Sequence, residues 1–199
     1  GFLSPGMPGY LADFPDIPYD PEEARQLLVS SEYGGPEGLP PIVYTTSGQG
    51  SADAVMGATV DMWRTNLGVE VTVRQIESES YFDQIAVEVD NLFDYGWIAD
   101  YPDPENFLDI LFYSASSNNH TNYSNPVVDR LLEQARTETD QVARYQLYNR
   151  VEQMVIDDAP WIPLWYSGER FVLVKPSVRD YFLTPLYIPS LRYVYLAEE

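Results

Sequence analysis

The chain has 199 residues, 45% of them hydrophobic and 21% charged, which is enough apolar material for a buried core and excludes a disordered class. Its formal net charge of −20 excludes a nucleic-acid footprint and disfavours anionic membranes, while leaving room for cationic or zwitterionic ligands. There is no cysteine, so disulfides, thiolate nucleophiles and Cys-ligated zinc are all ruled out.

Residues 1–19 carry four Pro and three Gly and read as an extended entry segment. Asp20-Pro21-Glu22-Glu23 then supplies an N-cap, a Pro at the first helical position and a Glu at the third. Ala24, Leu27 and Leu28 form the expected apolar face, and Gly34-Gly35 the stop. "IVYTTS" (42–47) predicts a strand. A helix capped by Ser51 follows, with Val55, Thr59, Met62, Trp63 and Asn66 on its rows and Gly68 beyond its end. "VEVTVRQI" (69–76) alternates like a half-buried strand, and Tyr81, Phe82, Ile85, Ala86 and Val89 mark another helix face. "FDYGWIA" (93–99) predicts a central strand. This alternation of strands and helices implies an α/β fold, with a parallel or mixed sheet flanked by helices. Ligands in such sheets sit beyond the carboxyl ends of strands, and Asp100 follows one such expected end.

Asp103-Pro104-Glu105 repeats the cap-then-Pro start, with Phe107, Leu108 and Leu111 facing inward. Asn125-Pro126 does so again before Val128, Leu131, Leu132 and Ala135. Asp140 caps a longer helix through about Asp157, with Val142, Tyr145, Tyr148, Val151 and Val155 as its stripe and Pro160 as its stop. "WIPLWY" (161–166) and "RFVLV" (170–174) predict two more strands. The tail from Pro176 has no period, and no stretch approaches 18 apolar residues, so no membrane span is expected. The chain begins at Gly1 without an initiator Met and reads as a mature form or a cut piece of something longer.

The enzyme readings find little support. The lone His120 lies in a polar loop and there is no Gly-x-Ser-x-Gly elbow. Asp100, Asp103, Glu105 and Asp109 offer oxygen ligands but fail the EF-hand spacing, so no metal or cofactor is expected. A carboxylate pair of the glycosidase kind cannot be picked out among 31 acids. Asp100 stands apart. It leaves an apolar "GWIA" run, where an ionised carboxylate at a cleft wall is costly without a cation. A ligand ammonium would be such a cation, with Trp97 offering a ring face and Gly96 room for another backbone. A solvated loop acid is the bland alternative.

These residues resemble the C-terminal lobe of bacterial family 5 extracellular solute-binding proteins. The matching runs are "YDPEEARQLL" (19–28), "LGVEVTV" (67–73), "GWIADYPDPENFL" (96–108), "NYSNPVVDRLLEQA" (122–135) and "DQVARYQLYNRVEQMVIDDAPWIPLWY" (140–166). The resemblance implies a periplasmic-binding-protein-like (type II) lobe with a mixed sheet. It implies residues 1–173 as one lobe of a two-lobed clamp, and 174–199 as a segment crossing back to the first lobe. It implies a non-enzymatic peptide-binding component of an ABC importer, extracellular or periplasmic, membrane-tethered when full length, with ABC permease subunits as partners. Asp100 would anchor the ligand's N-terminal ammonium, and Gly96, Trp97 and Ile98 would lend main-chain groups by strand addition. Tyr166 and Asn119 match regions that touch ligand. The alternatives are a nickel chelate, oligosaccharide or opine as solute, or an extracellular carboxylate-dependent hydrolase.

Overall fold

A computed structural model describes residues 1–15, 17–48, 54–88, 90–166, 172–182 and 191–197. The chain divides into two units: Asp16–Gly96 form one, and Gly1–Pro15 with Trp97–Glu199 form the other.

The unit built on Asp16–Gly96 is a parallel α/β layer. Helix α1 (Pro21–Ser30) starts where Asp20 accepts the Glu22 and Glu23 N–H groups at 3.0 and 2.9 Å. Strand β1 (Ile42–Ser47) is followed by α2 (Ala54–Leu67), which ends at Gly68 with φ +70, and by β2 (Val71–Ile76). Helix α3 (Tyr81–Ile85) and β3 (Leu92–Phe93) complete it. The order is β2-β1-β3, with β1 parallel to both neighbours and Ile42 to Ser47 in register with Val71 to Ile76. Tyr81 and Ile85 of α3 bury against Ile76, with Phe93 and Tyr95 packed alongside.

Three expectations change here. Leu27 is 63% exposed and α1 buries no residue. A polar tie joins it to α2 instead: Arg25 Nε donates to the Asn66 carbonyl at 2.6 Å, and Asn66 Nδ2 to the Tyr19 hydroxyl at 3.1 Å. The helix also stops at Ser30, ahead of the glycines. On α2 the buried residue is Met56, one step from the expected Val55 row, while Val55 and Met62 stay exposed. Finally, 93–99 is not a central strand. Only Leu92–Phe93 pair, at the sheet edge, and 94–99 hold no strand. The pairing stops at Asp94: its N–H makes the last bond to β1, to the Thr45 carbonyl at 3.0 Å, while its carbonyl accepts the Tyr81 hydroxyl and its carboxylate the Tyr44 and Thr46 hydroxyls. The expected Ser51 cap and Val89 lie outside the described residues.

The other unit is helical around α4 (Glu105–Phe112), α5 (Pro126–Thr137) and α6 (Gln141–Asp158). Asn125 accepts the Val127 N–H at 2.9 Å and Asp140 the Ala143 N–H at 2.9 Å. Val128, Leu131, Leu132 and Ala135 are all buried, as are Phe107, Leu108 and Leu111. Helix α6 ends at Ala159, whose φ of +50 closes it before Pro160. Val142, expected on the inward stripe, is 67% exposed, because the stripe begins in earnest at Tyr148. The entry segment is anchored rather than merely extended. Phe2 and Leu3 are buried, and Phe2 stacks on Phe112 (4.8 Å) and meets Trp161 edge-on (6.2 Å). The expected strands at 161–166 and 172–174 are not strands among the described residues, and Ile162, Leu164, Trp165 and Leu173 stand exposed. Among the described residues their apolar runs have no neighbouring strand to pair with. Arg170 and Phe171 lie outside the described residues. A short antiparallel pair, β4 (Val178–Arg179) with β5 (Tyr195–Leu196), is found in the tail.

Glu152 was not foreseen. It is 1% exposed on α6, and its Oε1 accepts the Phe2 and Leu3 N–H groups, the latter at 2.9 Å. Burial raises its carboxyl above the ordinary glutamate range, against the opposing pull of those two donors. The folded chain therefore binds the extra proton. This contribution to stability is full below the unfolded pKa and fades as pH rises through the raised folded value. Glu152→Gln keeps an acceptor but cannot titrate. Wild type should gain in Tm relative to Glu152→Gln, by about 2–4 °C per kcal/mol, as the pH drops from neutral into the acid range. Thermal melts of both proteins across that range check this, and a difference that does not move with pH contradicts it.

Candidate functional site

The segment 96–112 holds four acidic residues and no basic one, and the structure assigns each a different surrounding. Asp103 Oδ1 accepts the Glu105 N–H at 2.9 Å, which starts α4. The same carboxylate takes a two-pronged pair from Arg144 of α6, at 2.7 and 2.8 Å. Burial pushes against its ionised form, but Arg144 and the Glu105 N–H outweigh this and hold its carboxyl below the usual range. Asp109 is buried and receives the same two-pronged contact from Arg136 of α5, both bonds at 2.7 Å. Glu105 accepts the Tyr101 hydroxyl. Asp100 differs from all three. Its carboxylate is exposed and has no ion pair among the described residues.

The main chain beneath that carboxylate is nevertheless fixed. Asn106, in the first turn of α4 and fully buried, accepts the Asp100 N–H and the Trp97 Nε1–H through one carbonyl oxygen, both at 3.1 Å. Trp97 is half-buried and Ile98 is 54% exposed. Trp97, Asp100 and Asn106 thus form one small assembly on the helical unit. Gly96, the last residue of the α/β unit, is exposed, and a Cβ built there meets nothing within 4 Å. Nothing within the described chain requires a glycine at 96.

The remaining two sequence candidates sit differently. Tyr166 is 39% exposed, donates its hydroxyl to the Gly1 carbonyl at 2.8 Å, and meets Tyr10 edge-on at 6.4 Å. Asn119 is buried and organises its own loop. Its Nδ2 donates to the Tyr113 and Tyr123 carbonyls (3.3 and 2.8 Å), and its Oδ1 accepts the Thr121 hydroxyl and Tyr123 N–H (3.2 and 3.1 Å). That fills the carboxamide's capacity and leaves it nothing to offer a ligand. Asn106 and the Arg partners were missed. The signal was an Asn and an Asp three apart, Asn106 and Asp109, on an otherwise apolar helix face.

Among the described residues no group of three or more His, Cys, Asp or Glu side chains could hold a metal ion. No helix among them is long and apolar enough to cross a membrane.

The family model "Bacterial extracellular solute-binding proteins, family 5 Middle" matches residues 1–119. The chain belongs to this family. The periplasmic murein peptide-binding protein MppA of Escherichia coli is 33% identical over 161 residues, covering 80% of this chain and 29% of MppA. The oligopeptide-binding protein OppA of Bacillus subtilis is 31% identical over 134 residues, covering 67% of this chain and 25% of OppA. The solved structure of Escherichia coli MppA superposes with a TM-score of 0.78 at 29% identity, over 90% of this chain and 35% of that one. Haemophilus influenzae OppA, solved in complex with RPPGFSPFR, gives 0.75 at 26% identity over 89% of this chain and 35% of its own. The family 5 chain described here thus spans about a third of the length of the relatives it matches. The α/β fold is that of type II periplasmic binding proteins.

Proposed function

We propose that this chain is the ammonium-binding part of a peptide-binding protein that serves an ABC importer outside the cytoplasmic membrane, with permease subunits as its partners. The observation that carries this reading is Asp100: an exposed carboxylate on a main chain held by Asn106, without an ion pair among the described residues, while Asp103 and Asp109 beside it have arginine partners. A carboxylate fixed in this way favours a cation that arrives with a ligand, and the terminal ammonium of a peptide is such a cation. The stretch 95–99 holds no strand, which suits strand addition, in which peptide main chain pairs with protein main chain whatever the side chains are. Tyr166 and Tyr10 would add aromatic surface. Asn119 has no part in this reading. In the same reading residues 1–173 are one lobe, 174–199 cross to another, and the longer protein carries a membrane tether.

Peptide names among relatives support the solute class: MppA is named for murein peptides, and Haemophilus influenzae OppA was solved with a nonapeptide. Family members are binding proteins, and we assign no reaction to this one.

Two outcomes test the proposal. A lobe that offers half of a closing clamp gains only part of the ligand's contacts. Calorimetry with short unblocked peptides should therefore show binding to the full-length protein and weak or undetectable binding to this chain alone. Tight binding by this chain alone contradicts the one-lobe reading. Gly96→Ala should leave stability within about 0.5 kcal/mol, because the added methyl meets open space. It should nonetheless weaken peptide affinity several-fold, because a peptide strand would have to pass the new methyl. Unchanged affinity removes Gly96 from the site.

A further inference from the structure

We propose that Asn106 is a positioning residue that sets the amine selectivity of this site, by holding the Trp97 indole and the Asp100 backbone with one carbonyl oxygen. The inference rests on the reading of Asp100 as an ammonium receptor and goes one layer behind it.

A carboxylate on a loop is a poor selector if the loop moves, since the lost freedom opposes each binding event. Asp100 sits five residues before Glu105, the first residue of α4, and is exposed, so nothing in its own side chain fixes it. The fixing comes from below. Asn106 is 0% exposed, and its Oδ1 takes two N–H donors at 3.1 Å, one from the indole and one from the main chain. A carbonyl oxygen has two acceptor directions, and both are occupied. The two donors are three residues apart in sequence, so one acceptor closes the turn 97–100 like a clasp.

The clasp is itself anchored. The Asn106 N–H donates to the Asp103 carbonyl at 3.1 Å, and Asp103 is held by Arg144 of α6. Rigidity thus passes from the long helix α6 through Asp103 to Asn106, and from Asn106 to the exposed carboxylate.

An Asn that served only packing would influence stability and nothing else. The test therefore reads selectivity, defined as the affinity ratio between an unblocked tripeptide and its N-acetylated form, measured by calorimetry on the full-length protein. Asn106→Ala removes the acceptor, and Asn106→Leu removes it while keeping the volume, in case the smaller side chain fails to fold. Either folded variant should lose roughly tenfold in that ratio, the worth of one well-placed interaction with a charged group. Asn106→Asp keeps the acceptor oxygens and should hold the ratio near wild type. Hydrogen exchange at the Asp100 amide and the Trp97 indole should accelerate in the first two variants and not in the third. An unchanged ratio in folded Asn106→Leu overturns the proposal, as does a fold lost in both Ala and Leu variants and restored by Asp, which would mark a structural role alone. If wild type shows no preference for the free amine, or Asp100→Ala keeps it, the ammonium reading has failed. If Asp100→Ala abolishes the preference while the Asn106 variants retain it, only the positioning role falls.

Discussion

Asp100→Ala in the full-length protein should lower affinity for unblocked peptides about 100-fold, while N-acetylated peptides lose no more than about twofold. The asymmetry follows from what the side chain touches. Asp100 makes no ion pair among the described residues, so its removal leaves no cation of the protein stranded. What is stranded is the ligand's ammonium, desolvated against Trp97 without a counter-charge. Thermal stability should barely change, because the carboxylate is exposed and supports no helix cap. Asp100→Asn should fall between the two, since it keeps an acceptor and loses the charge. Calorimetry with matched peptide pairs checks these expectations. Equal losses for both members of a pair would remove the ammonium role.

Phe112→Ala should destabilise the helical unit by about 3–5 kcal/mol, a large share of a typical domain's stability. Phe112 is 0% exposed and touches three aromatic rings: Phe2 at 4.8 Å, Trp161 at 5.3 Å and Tyr123 at 6.4 Å. All three contacts come from segments with no regular structure of their own, so the cavity cannot collapse by sliding one helix. The entry segment should loosen with it, because Phe2 loses its nearest ring and keeps only the Trp161 edge contact and the Glu152 bond. Denaturant unfolding gives the first quantity and hydrogen exchange at Phe2 and Leu3 the second. A loss below about 1 kcal/mol would mean the ring is not a keystone of the core.

Local signals read well from the sequence. Asp20, Asn125 and Asp140 cap helices because a side-chain oxygen and a following N–H are close in sequence. The strand 42–47 and the inward row of α5 were legible for the same reason, since period and burial are set within one element. Features that join distant elements were not legible. Arg144 lies 41 residues from Asp103 and Arg136 lies 27 from Asp109, so neither arginine partner could be read from a run of four acids with no local base. They are three satisfied groups and one open one. The run 93–99 misled because an apolar stretch reads alike whether or not a strand lies beside it, and here pairing stops at Asp94, whose N–H makes the last bond to β1 and whose carbonyl takes the Tyr81 hydroxyl. "WIPLWY" misled in the same manner. Asp100 itself was visible as a charge after an apolar run. Its support by Asn106 was not, because an Asn between Glu105 and Phe107 looks like any polar residue at a helix start.

The most direct measurement is a crystal structure of the full-length protein with an unblocked peptide bound. The account predicts the peptide's terminal ammonium at about 2.7–3.0 Å from the Asp100 carboxylate, with the Asn106 clasp intact beneath it. An ammonium bound to a different acid, with Asp100 facing solvent, would contradict it.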